Sequence, residues 1–221
     1  MLTLAIDTST SAIGVAVARP GAPAVTAVAI DPRKHTELLA PLVEQALAEA
    51  GVGVGDVTDI AVGTGPGPFT GLRVGMVTAV TMGYALGVPV HGVCSLDVLA
   101  EQALTASDAD ELLVATDARR REVYWARYAR DADGAARALD APAVDAPAHL
   151  PERTRMLPVA GRGPLLYPDL FPAPLPEVLD VDPSVLARIA GRRLAAGTPM
   201  PVEPLYLRRP DALTTAERAA R

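Results

Sequence analysis

Cysteine is almost missing: Cys94 is the only one in 221 residues, so no internal disulfide framework can exist. Lysine is as scarce. Lys34 stands alone and outside any glycine-rich loop, which removes the lysine-dependent phosphate loop from consideration. The three histidines, His35, His91 and His149, are scattered, and the position four after His35 is Leu39, so no HxxxH metal pair exists and zinc-peptidase chemistry has no visible ligands. Basic charge is outnumbered, 20 Lys and Arg against 26 Asp and Glu, for a formal net charge of -6 and a pI near 5.1. That balance argues against a broad basic nucleic-acid face, and any link to RNA is expected to be indirect. The chain opens directly on a strand-like segment with no basic leader or cleavage site, which together with the lone thiol points to a reducing, cytoplasmic setting.

What is present is apolar surface, 50% of the residues, enough to bury a core in one domain or in two small lobes that share an interface. Between Arg73 and Asp97 no residue is charged. Gly75, Gly83, Gly87, Thr78, Thr81 and Pro89 within that run point to a buried helix ending near Gly87 and a strand over 90–93, not to a membrane span.

Apolar runs at 2–6 and 13–18, separated by a hydroxyl-rich turn, read as a hairpin, and 25–30 as a third strand. Residues 38, 39, 42, 43, 46, 47 and 50 give 36–50 the helical spacing, closed by Gly51, with Pro41 expected to sit in the first turns and to allow a kink. A strand at 59–63, a glycine- and proline-rich loop, a helix from about Thr70, a strand at Val90 and a helix over 95–105 with Ser95 as N-cap complete the first half. The order predicts a mixed sheet flanked by helices. The pattern then starts again: 113–116 is apolar, Asp117 follows, and after a turn comes the strand 123–128, with Asp117 in the place of Asp7 and Tyr124 in that of Gly14. Beyond a turn at 131–134, the segments 142–151 and 164–176 are expected to have little regular structure. A last helix is predicted over 183–196 behind an Asp182 cap, then an extended piece at 205–208 and a frayed tail after Asp211. The division follows as a first lobe over 1–106 and a smaller second lobe over 107–221.

Asp7, Thr8, Ser9, Thr10 and Ser11 occupy the tip of the first hairpin. Hydroxyls and turn amides there can cradle a phosphate while the carboxylate holds a hydrated magnesium ion; an ordinary polar turn uses the same residues. The loop from Gly63 to Gly75, with Gly65, Gly67 and Gly71 among its glycines, runs into a helix N-terminus, where backbone can approach an anion closely. Arg73 in the first helical turn opposes the helix dipole, which points either to a phosphate or carboxylate partner or to a solvated side chain on a tight structural turn. Gly71, Gly75, Ala79 and Gly83 form a small-residue stripe that admits another backbone, from the same domain's sheet or from elsewhere. Arg119, Arg120 and Arg121 are a basic cluster, usually a solvated turn and less often a phosphate or RNA contact. Cys94, at a strand end among apolar residues, reads as a core thiol.

IDTST with its following GVAV, HTELLAP, GTGPGPFTGLRVG, DARRREVY and PLYLRR together resemble the bacterial family of tRNA threonylcarbamoyladenosine biosynthesis proteins called TsaB or YeaZ, from Leu4 to about Arg208, except that 131–176 carries no matching motif. The resemblance implies a duplicated ribonuclease-H-like α/β fold of the actin, sugar-kinase and heat-shock ATPase type, with mixed sheets flanked by helices in two lobes. It implies a non-catalytic accessory subunit that docks onto and activates TsaD, which places threonylcarbamoyl on the adenosine next to the anticodon of ANN-decoding tRNAs. Docking would use the first two long helices, with His35, Glu37, Leu38, Leu42, Leu72, Val74 and Met76 at the interface. The small ATPase TsaE would join, the chain alone would form a homodimer, and ATP or ADP with magnesium would bind at or near the partner interface. Two other readings stay open: a sugar-kinase-type phosphotransferase using Asp7 and Asp117, although Gly161 to Gly163 is a weak substitute for an adenosine-binding motif, and a glycoprotease-like peptidase.

Overall fold

The computed structural model describes residues 1–208. The hairpin β1 (Thr3–Asp7) and β2 (Ala12–Ala18) is followed by β3 (Val25–Ile30), helix α1 (His35–Glu49), β4 (Asp59–Gly63), helix α2 (Phe69–Leu86), β5 (Val90–Val93) and helix α3 (Ser95–Ala106). These five strands form one sheet in the order β3-β2-β1-β4-β5. The first three are antiparallel, and β4 and β5 continue parallel to β1. A second sheet starts again with β6 (Glu111–Asp117), antiparallel to β7 (Val123–Arg130), which pairs with the short β8 (Ala136–Ala138) and β9 (Ala143–Asp145). On its other side β6 pairs in parallel with β10 (Val159–Ala160), so the second sheet is an abbreviated copy of the first. The copies align at the carboxylates, since Asp7 lies opposite Gly14 and Asp117 opposite Val123. The second turn is thus one residue shorter than the first, and Val123, not Tyr124, takes the place of Gly14.

The pleat of β1 explains the layering. Leu4 and Ile6 point to one side, where α1 and α2 cover them; Ala5 points to the other, into a core built with Leu96, Leu99, Leu186 and Ile189. That second core holds α3 and the last helix, α6 (Pro183–Ala195), between the two sheets, and Leu112, Val114 and Tyr128 close it from the second sheet. The small Ala5, Ala16 and Ala61 let α6 come close, and a Cβ on Gly14 would stand 3.1 Å from the Pro183 ring. Although α6 lies in the later half of the chain, its packing is on the first sheet.

α1 runs through Pro41 without interruption and ends at Gly51, whose φ of 66° supplies the left-handed closing residue. The uncharged run is α2 followed by β5, and no helix among the described residues is long and apolar enough to cross a membrane. Ser95 is not an N-cap: Cys94 holds that position without a side-chain cap bond, and the Ser95 hydroxyl is turned to Asp7. Asp182 does cap α6, accepting from the Ser184 N–H at 2.8 Å. The proline-rich stretch has more order than expected. It contributes β9, β10 and two short helices, α4 (Glu152–Arg155) and α5 (Gly163–Leu166), because Leu150, Val159 and Phe171 bury against the outer face of the second sheet. Residues 205–208 join no strand; they bind as a strap from Thr64, just past β4 of the first sheet, to Ala118, just past β6 of the second. The tail after Asp211 lies outside the described residues.

Candidate functional site

The β1–β2 turn and the glycine loop, 60 residues apart in sequence, are stitched together. Asp7 is 1% exposed; one carboxylate oxygen accepts from the Ser9 N–H and hydroxyl, both at 2.8 Å, and the other from the Ser95 hydroxyl at 2.7 Å. Burial pushes the Asp7 carboxyl above its ordinary value, against these hydrogen bonds. Thr8 enters α2 itself: its hydroxyl donates to the Gly71 carbonyl at 2.8 Å and accepts from the Gly75 N–H at 2.9 Å, bridging two groups that an α-helix ordinarily joins directly. The glycines are explained by this contact. A Cβ on Gly67 would lie 2.9 Å from the Ser9 Cα, one on Gly71 would lie 2.9 Å from the Thr8 carbonyl oxygen, and one on Gly75 would collide with the Thr8 hydroxyl. The small-residue stripe is therefore filled by the chain's own first turn and, at Gly83, by Val90.

Beside this stitch lies a cavity of about 220 Å³ between the sheets. Ser9, Thr10, His35 and Gly71 line it from the first sheet, and Thr116, Asp117, Arg119 and Arg162 from the second. His35, buried, places Nε2 3.1 Å from the Thr10 carbonyl oxygen. Of the residues expected to hold phosphate, Ser9, Thr10 and Gly71 reach this cavity, whereas Asp7, Thr8, Gly65 and Gly67 do not line it. Arg73 does not line it either: it lies over the Phe69 ring, 4.9 Å from the centroid, and Phe69 stacks at 5.4 Å on Tyr206. A magnesium nucleotide held by Asp7 does not fit this arrangement, because the carboxylate already takes three donors in a dry site and the cavity falls below the roughly 300–1,000 Å³ of pockets for drug-sized ligands. Among the described residues no group of three His, Cys, Asp or Glu could hold a metal ion. Burial, reinforced by the nearby Asp97, pushes the Cys94 thiol up to about 12, far from a thiolate at neutral pH.

The residues expected at a partner interface separate by burial. Leu72 is fully buried, and His35, Leu42 and Met76 are nearly so; Leu38 and Val74 are half-buried, and Glu37 is exposed. The exposed apolar side chains of α2 are others: Phe69, Val77, Val80 and Tyr84, the last 91% exposed. Sequence reasoning missed them, together with Arg33 and Arg162 at the cavity. In a helix uncharged except for Arg73, the periodicity that separates core from surface is faint.

A family model described as TsaD, tRNA N6-adenosine threonylcarbamoyltransferase, matches residues 29–164. An uncharacterized protein of Mycobacterium tuberculosis is 44% identical over 95% of this chain and 92% of its own length. The Escherichia coli tRNA threonylcarbamoyladenosine biosynthesis protein TsaB is 38% identical over 77% of this chain and 75% of its own. Among solved structures, YeaZ from Pseudomonas aeruginosa superposes with a TM-score of 0.81 at 32% identity, covering 93% of this chain and 99% of that one. A protein described as similar to peptidase YeaZ, from the same organism, gives 0.79 at 34% identity, covering 94% and 99%.

Proposed function

Because the chain belongs to the TsaB (YeaZ) branch of the TsaD family, with a role in tRNA threonylcarbamoyladenosine biosynthesis, we propose that it acts there as a non-catalytic subunit that docks onto TsaD and activates it. The exposed face of α2 carries this reading. Phe69, Val77, Val80 and Tyr84 recur along one side, and Arg73 is the only charge on the helix. An apolar stripe of this kind is expensive to leave in water and fits a matching helix of a homologous subunit. On α1 Glu37 is exposed and Leu38 half-buried, while Leu42, Leu72 and Met76 lie in the core that α1 and α2 share. The same face would close a homodimer when the partner is absent. TsaE would bind the assembled pair, and ATP or ADP with magnesium would sit at the junction between subunits rather than on Asp7. The setting is the cytoplasm.

The phosphotransferase reading loses support from the engagement of its two carboxylates: Asp7 is held by Ser9 and Ser95, and Asp117 is paired with Arg119 at 2.9 Å. The peptidase reading has, among the described residues, only the partly buried Cys94 thiol as a cysteine nucleophile, and it is held protonated. The test is threonylcarbamoylation of tRNA by the cognate catalytic subunit with and without this chain, together with V80E. Modification should require the chain, and V80E should abolish co-elution with the catalytic subunit while leaving the melting temperature unchanged. L42E should unfold the chain instead, by burying a carboxylate in the core. Full modification without the chain, or co-elution undisturbed by V80E, would defeat the proposal.

A further inference from the structure

A net charge of -6 says that the surface as a whole repels RNA, but it does not say how the arginines are arranged. We propose that the rim of the inter-lobe cavity, carrying Arg33, Arg119 and Arg162, together with the exposed Arg121 of the same β6–β7 turn as Arg119, binds the phosphodiester backbone of a structured RNA. This chain would then touch the tRNA directly, a step that rests on the accessory-subunit reading above.

Three separate elements bring guanidinium groups to one place. Arg33 comes from the loop between β3 and α1, Arg119 from the β6–β7 turn and Arg162 from the residue before α5, and all three line the same cavity. Asp117 pairs with Arg119 at 2.9 Å, and Asp180 takes Arg162 at 2.9 and 2.5 Å. Asp31 accepts only the backbone N–H of Arg33, and among the described residues no carboxylate pairs with the guanidinium of Arg33 or Arg121. Positive charge therefore exceeds negative at this rim, and Ser9, Thr10, Ser11 and Thr36 supply neutral donors beside it.

The turn that presents the cluster has an unfavourable backbone. Arg119, Arg120 and Arg121 have φ of 61°, 53° and 63°, a left-handed run in which glycine or asparagine is the ordinary choice. It is held by Asp117, which accepts the Arg119 N–H at 2.7 Å, by the Glu122 N–H to the Arg119 carbonyl at 3.0 Å, and by Arg208 on the Ala118 carbonyl at 3.0 Å. Glycine would hold this backbone conformation at lower cost, so what arginine adds at these positions is its side chain and charge.

The ligand follows from where the charge lies. The space between glycine loop and hairpin turn is taken by the Thr8 and Ser9 contacts, which leaves no cradle for a triphosphate. The Arg119 side chain is 60% exposed, and Arg120 and Arg121 beside it in the turn are exposed too. The cations of this turn thus face solvent beside a cavity that Arg33, Arg119 and Arg162 line, an arrangement suited to successive phosphates of a folded strand rather than to one enclosed phosphate.

The test is fluorescence anisotropy with labelled unmodified tRNA, titrated with the full chain alone and with its catalytic partner, comparing wild type with R119G/R121G. Glycine accepts the left-handed φ, so the variant should melt at the wild-type temperature or above. Its affinity for tRNA should fall at least about tenfold, and the slope of log affinity against log salt should shrink by about two. Equal affinity and slope, or no RNA binding by the wild type in either form, would overturn the site. ATP binding lost in the variant while RNA binding stands would also overturn it, in favour of a nucleotide. Failure of the accessory-subunit reading shows separately, as a modification reaction that does not need this chain, and leaves the RNA comparison intact.

Discussion

Removing the Asp7 carboxylate leaves the Ser9 N–H and two serine hydroxyls without an acceptor in a site closed to water. D7A should therefore lower the unfolding free energy by about 2–3 kcal/mol in a urea titration, while ATP turnover stays at background in both proteins. Unchanged stability would mean that the stitch contributes nothing. The hydroxyl turn and the glycine loop each stand out in the sequence as places for close backbone approach. What the sequence could not reveal is that each is the other's ligand: Thr8 answers Gly75, and Ser9 answers Gly67, across a gap of about 60 positions that only the fold closes. Arg33 and Arg162 were illegible for the same reason, since neither belongs to a motif and they meet only where the two sheets face each other.

Elements whose pattern is set by local burial were readable to within a residue or two. α1 begins at His35, one position before the spacing predicts, and β4 at Asp59, where it is expected. The segment 142–176 was harder because its order comes from burial of three side chains under the second sheet, not from local periodicity. The joint between elements most open to test is Glu101 on α3. It is nearly fully buried, accepts from Arg188 at 2.8 Å and Arg192 at 2.7 and 3.1 Å on α6, and takes the Ala136 N–H of β8 at 2.9 Å. Burial works to raise this carboxyl, but the Arg192 hydrogen bond and its companions prevail and hold it below the ordinary 4.5. A lowered carboxylate stabilises the fold fully above its unfolded value and loses that contribution as pH falls through the folded one. Wild type should therefore lose stability below about pH 4.5 more steeply than E101Q, which should already be weaker by ~1–2 kcal/mol at pH 7. Parallel acid-denaturation curves for the two proteins would contradict this.

At the scale of the whole molecule the two lobes are tied by the chain's last described residues. Met200 accepts the Gly92 N–H at 3.0 Å and Leu205 donates to the Thr64 carbonyl at 2.9 Å. Tyr206 then stacks on Phe69, and Arg208 crosses to Ala118 and Glu122 on the second sheet. Y206A/R208A should lower the melting temperature by roughly 3–6 °C, read by differential scanning calorimetry; an unshifted transition would show that the strap is decorative. α6 makes the same bond in the opposite sense, from late sequence onto the earliest strands. As the ribosome releases the protein, Ala5, Ala16 and Ala61 must therefore wait, uncovered on one face, for a helix that begins only at Pro183. At ~5–20 residues per second the interval from Ala61 to Pro183 lasts roughly 6–24 s, during which the nascent first sheet is a natural client for a chaperone.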